Sequence, residues 1–188
     1  MTEPGLLDLE AVVVGQPKRS RWRTYVGPAL VVSTVEGTPL ARVTYPDDTY
    51  AVLATTSGEF IVGMEQFGPV EFRFIDAEGR EVGTTGAPGL IKTLRLSLRT
   101  ERGRQLLLTR PSLLHAEWQL TETDPEESPA PEILGRVTVS TIDSWLGLQQ
   151  YVVETDPRLD ASERRTVIAS VVCLHLLRRP PGRSATPE

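Results

Sequence analysis

The chain has 188 residues, 39% hydrophobic and 24% charged, which suits one soluble domain with a sizeable core. A formal charge of −5 argues against generic attraction to nucleic acid or anionic membranes, leaving room only for a local basic patch. One cysteine, Cys173, excludes an intrachain disulfide framework and suits a reducing cytoplasm.

Residues 1–10 are acidic, with no basic region that would open a signal peptide. Residues 6–14 read as a first strand, closed by Gly15 and Pro17. A basic cluster follows, in which Lys18, Arg19, Arg21 and Arg23 are interleaved with Trp22 and Tyr25. Short β-branched or aromatic runs come next at 29–34, 39–45, 50–55 and 59–67, punctuated by Gly, Pro and Asp. Val70, Phe72 and Phe74 alternate with Glu71 and Arg73, the period of a half-buried strand, and residues 76–79 turn the chain back. The cleanest alternation sets Leu94, Leu96 and Leu98 against Arg95, Ser97 and Arg99, with a companion run at 105–109. Ala116, Trp118 and Leu120 share one face of a run at 115–121. Residues 124–132 are acidic and proline-rich and read as an exposed, mobile loop. Strands resume at 134–141 and 145–153. The chain shows only a loose hairpin repetition and no linker dividing it in two.

Residues 160–178 then predict a helix. Asp160 is a good N-cap and Glu163 completes a capping box. Pro180 and Pro181 end the helix, leaving a disordered tail at 180–188. Val167, Ile168, Val171, Val172, Leu174 and Leu176 do not fall on one stripe, so the helix must be surrounded on all sides. Its uncharged run of about 12 residues is shorter than the roughly 20 needed to cross a bilayer. Many strands at roughly 8–12-residue spacing and one such helix solve each other's problem. A barrel of about 10–12 strands needs a filler, and the helix needs an apolar coat. The residues therefore point to a mainly β fold, an antiparallel barrel or sandwich with one terminal helix, as one domain over 1–188, and the all-round apolar helix favours the barrel.

Residues 150–154, an acidic turn at Asp156 and Asp160, Arg164–Arg165 and the final apolar helix resemble the tubby-like C-terminal domain superfamily. That superfamily includes tubby proteins, phospholipid scramblases and LURP-one-related proteins, with bacterial members. The resemblance implies a closed antiparallel β-barrel of about twelve strands enclosing a hydrophobic C-terminal α-helix, and binding of phosphoinositide head groups or membranes as the activity. Where scramblase-type helices usually close on an acidic residue, this chain has Leu174–His175–Leu176.

The strongest polar feature is Lys18, Arg19, Arg21 and Arg23 around Trp22, four cations in six residues that can clamp phosphates. Arg95, Arg99, Arg102, Arg104 and Arg110 form a second set, read as the outward faces of strands. Asp156 and Asp160 are oxygen ligands in a calcium reading, against the cap role of Asp160. His115 and His175 lack metal-ligand spacing, Cys173 reads as a buried hydrophobe, and the glycine-rich 83–89 lacks a strand-to-helix setting. The expectation is therefore a cytoplasmic, non-enzymatic binding module, at most peripheral to a membrane. No cofactor and no metal is expected; the ligand is an anionic phospholipid or phosphoinositide head group. The alternatives are a protein-interaction scaffold and, behind it, a hollow lipocalin-like carrier, a nucleic-acid binder or an enzyme.

Overall fold

Alternation along the chain becomes inside and outside of one wall. In the strand Arg95–Thr100, Leu96, Leu98 and Thr100 are buried while Ser97 and Arg99 face out. The computed structural model describes residues 5–16, 30–88, 94–112, 114–122, 130–143 and 148–178. Within them the strands are β1 (Ala11–Gly15), β2 (Leu30–Ser33), β3 (Pro39–Asp47), β4 (Tyr50–Thr55), β5 (Phe60–Gly68) and β6 (Glu71–Ile75). They continue as β7 (Glu81–Gly86), β8 (Arg95–Thr100), β9 (Gln105–Thr109), β10 (Glu117–Thr121), β11 (Ile133–Asp143) and β12 (Leu148–Thr155), then one helix, α1 (Ala161–Arg178). Each strand pairs antiparallel with its neighbours in sequence, and β1 closes the barrel on β12 with Val12 opposite Val153 and Val14 opposite Tyr151. Of the barrel and sandwich that the pattern left open, the closed antiparallel barrel is observed, with the twelve strands and enclosed helix that the resemblance implied.

α1 fills it. Val167, Ile168, Ala169, Ser170, Val171, Val172, Cys173 and Leu174 are all at most 2% exposed, all round the helix. Leu30, Leu53, Leu96, Leu98, Leu106, Leu108 and Trp118 line the wall around it, in one continuous apolar cluster. Each large side chain buried there contributes roughly 1.5–3 kcal/mol, so the shared interior is the main source of stability. At its start, Asp160 Oδ1 accepts the Glu163 N–H at 2.9 Å and Glu163 Oε2 accepts the Asp160 N–H at 3.0 Å, the capping box expected.

The two rims differ. Where α1 begins, four hairpins share one turn, starting at Thr34, Thr55, Asp76 and Thr100 and placing Gly37, Gly58, Gly79 and Gly103 at positive φ. In each, the glycine N–H donates to the carbonyl three residues back. The Thr or Asp side chain also accepts the N–H four residues on, at 2.8–3.2 Å. This Thr/Asp-x-x-Gly repetition is stricter than the loose hairpin repeat the sequence suggests. Where α1 ends, the connections vary in length, from Asp47–Tyr50 between β3 and β4 to Gly15–Leu30 between β1 and β2.

One element departs from expectation. Residues 6–9 do not extend the first strand: Leu6–Asp8 is a 3-10 turn. Asp8 Oδ2 accepts the Gly5 N–H at 2.9 Å, and Arg164 of α1 donates to the Leu7 carbonyl at 3.3 Å, so the turn is tied to the helix start. Most of the acidic loop at 124–132, the prolines after the helix and the tail at 180–188 lie outside the described residues.

Candidate functional site

The basic cluster Lys18, Arg19, Arg21, Trp22 and Arg23 also lies outside the described residues. Its flanks do not: β1 ends at Gly15 and β2 begins at Leu30, both on the rim where α1 ends.

The second arginine set is largely paired. Arg99 bonds Glu81 at 2.5 Å, Arg102 lies 3.2 Å from Asp160, and Arg104 reaches Glu122 at 3.0 Å and Glu163 at 2.9 Å. Arg110 stacks over the Trp118 ring, 4.9 Å to its centroid, and donates to the His115 carbonyl at 3.3 Å. With Arg165 on Glu101 at 2.7 Å, the turn between β8 and β9 grips the first turns of α1 through three ion pairs. These cations brace the helix, and their carboxylate partners oppose any anion there.

Asp156 and Asp160 do not converge on an ion. Asp156 takes Arg158 in a two-pronged pair, Oδ1 to Nε at 2.8 Å and Oδ2 to Nη2 at 2.9 Å, which lowers its carboxyl to about 2. Asp160 caps α1 and accepts the Ser162 hydroxyl at 2.8 Å. The Glu163 N–H holds its carboxyl below the ordinary range, aided by that hydroxyl and Arg102. Among the described residues, no group of three His, Cys, Asp or Glu side chains is arranged to hold a metal ion. Cys173 is enclosed and desolvation pushes its thiol well above the ordinary value, as an inert packing residue requires. His175 is buried against the Tyr151 ring, edge to face at 5.9 Å, whereas His115 bonds the Ser112 hydroxyl at 2.8 Å on an exposed loop. Gly83 and Gly86 belong to β7 and so make no phosphate-cradling turn.

The sequence reading missed the barrel mouth at the end of α1. A pocket of about 180 Å³ opens there, between the turn from β3 to β4 and the last residues of the helix. Buried Leu176, Met64 and Phe72 line it with half-buried Leu177, and so do exposed Asp47, Asp48 and Thr49 of the turn. Asp47 Oδ1 accepts both the Thr49 N–H at 2.8 Å and the Thr49 hydroxyl at 2.9 Å. Those bonds hold the Asp47 carboxyl below its ordinary range, so it is ionised at neutral pH. The only sequence sign of this pocket is an Asp–Asp–Thr turn; that it meets the end of the final helix is tertiary information.

No protein-family model matches the chain, and no curated protein matches it. Among solved structures, a protein from Arabidopsis thaliana known by X-ray crystallography is similar, with a TM-score of 0.54 over 88% of this chain and 89% of that one, at 14% identity. A likeness at that identity speaks to the fold alone.

Proposed function

We propose that this chain is a non-enzymatic, tubby-like binding module that takes its ligand on the outside of the barrel. The single observation behind the proposal is the occupied interior. α1 leaves the barrel without the hollow that a lipocalin-like carrier needs, so recognition falls to the rims and outer wall.

The ligand class proposed is an anionic phospholipid head group, with Lys18, Arg19, Arg21 and Arg23 as the phosphate clamp and Trp22 as the interfacial residue. Supporting the choice of that cluster, Arg99, Arg102, Arg104 and Arg165 are already engaged by carboxylates. No helix among the described residues is long and apolar enough to cross a membrane, so the proposed association is peripheral. Co-sedimentation with phosphoinositide vesicles at low salt tests the reading. Binding is expected for the native chain, to be lost in Arg19→Ala/Arg21→Ala/Arg23→Ala and to weaken steeply as salt rises. Failure of the native chain to bind any anionic vesicle would discard it in favour of a protein-interaction scaffold.

A further inference from the structure

The mouth pocket has a chemistry of its own. Its inner lining is hydrocarbon and aromatic, with Leu176, Leu177, Met64 and Phe72 contributed by α1, β5 and β6. On the side of the turn between β3 and β4 stand two carboxylates, Asp47 and Asp48. Among the described residues that line it there is no lysine or arginine. Asp47 keeps Oδ1 on Thr49, and Asp48 is exposed to solvent. An anion would be repelled there, and a wholly apolar molecule would leave the carboxylate side unused. The complementary occupant has a hydrocarbon end and a single positive charge at the other.

We propose that the barrel mouth binds a small amphipathic organic cation, an alkyl or aryl ammonium of about five to ten heavy atoms. The hydrocarbon end packs on Leu176 and Phe72, and the ammonium group lies against Asp47 and Asp48. A volume of about 180 Å³ holds a molecule of that size, whereas a lipid tail is too long. The chain's net charge of −5 favours the approach of cations over anions. This site is independent of the head-group reading and has the opposite charge preference, so either can fail without the other.

The test is a titration of the whole protein, labelled at methionine and leucine methyl groups, with n-pentylammonium, n-pentanol and pentanoate. Saturable shifts of the Met64, Leu176 and Leu177 methyls are expected with the ammonium ion at millimolar concentration. The alcohol should bind several-fold more weakly, and pentanoate should not bind. Leu6, in the 3-10 turn beside the start of α1, is the control and should not shift. Asp48→Asn should weaken the ammonium affinity about three- to fivefold, the size expected for one exposed carboxylate. Because Asp48 is exposed, its melting temperature should not change. Asp47→Asn keeps an oxygen for Thr49 and should weaken binding similarly. Equal binding of alcohol and ammonium would overturn the proposal. So would the absence of any saturable shift, or an Asp47→Asn/Asp48→Asn double variant that binds like the native chain.

Discussion

At the scale of single residues, Gly83 is a point where wall and helix press together. Its φ is +150°, and a Cβ there would stand 2.8 Å from the Arg99 carbonyl oxygen, 3.2 Å from the Phe74 ring and 3.3 Å from the Thr166 hydroxyl. Strand, core ring and helix crowd the same point, so relief against one worsens another. Gly83→Ala is expected to lower stability by about 2–3 kcal/mol, read as a lower urea midpoint at unchanged slope. Gly58 provides the contrast, with φ +93° but nothing within 4 Å of its Cβ position. Gly58→Ala should cost only about 1 kcal/mol, from backbone conformation alone. Equal losses at the two sites would refute crowding at Gly83. Val171, 0% exposed midway along α1, sets the harsher test. Val171→Asp forces a carboxylate into hydrocarbon without a partner and should prevent folding; a soluble, monodisperse variant with native circular dichroism would contradict enclosure.

The element of most consequence is the first turn of α1. Glu163 has one oxygen on the Asp160 N–H and the other on Arg104, and its side chain is only 10% exposed. Removing the Asp160 cap as Asp160→Ala should cost about 1–2 kcal/mol, whereas Asp160→Asn, which keeps an acceptor for the Glu163 N–H, should cost a fraction of that. Equal losses would assign the effect to the Arg102 ion pair instead. Just before the helix, Asp156 yields a pH prediction. Its folded value of about 2 lies below the ordinary 3.8, so its contribution is present above the ordinary value and is lost as pH falls towards 2. Between about pH 4 and pH 2 the native chain should lose stability faster than Asp156→Asn. Parallel melting-temperature curves over that window would refute the pairing with Arg158.

These elements also show how far the sequence could be read. Alternation at Leu96 and Leu98 and the all-round apolar helix were legible, because burial on one face of a strand, or on every face of a helix, leaves a direct pattern. The capping box was legible because both of its members lie within four residues. The 3-10 turn at Leu6–Asp8 was not: its Gly5–Asp8 bonds are local, but an apolar run continuous with β1 reads equally well as strand, and the Arg164 bond that ties the turn to α1 comes from 157 residues away. The mouth pocket was hidden because it is assembled from β3, β4, β5, β6 and the end of α1, far apart in the chain. The arginines were seen as outward-facing, but their carboxylate partners, such as Glu163 for Arg104, are set by the closed barrel.

For the whole molecule, wall and filler are one structure. Closing the barrel pairs Ala11 with Glu154, so the first strand waits for the last before its edge is satisfied. The helix that fills the interior follows only after that last strand. Such non-local pairing implies slow folding, in the range of milliseconds to seconds. It also implies that neither part persists alone, because an unfilled barrel would turn its inner leucines towards a void or water. The near-ultraviolet circular dichroism of buried Trp118, Tyr151 and Phe74 reports the wall, while ellipticity at 222 nm is dominated by α1. The two signals should give one coincident urea transition, and a chain ending at Asp160 should lack the near-ultraviolet signal and expose apolar surface to a dye such as ANS. If the helix signal were lost at lower urea while the aromatic signal persisted, the wall would stand without its filler. The interior would then be open to a ligand, and recognition would no longer be confined to the outside.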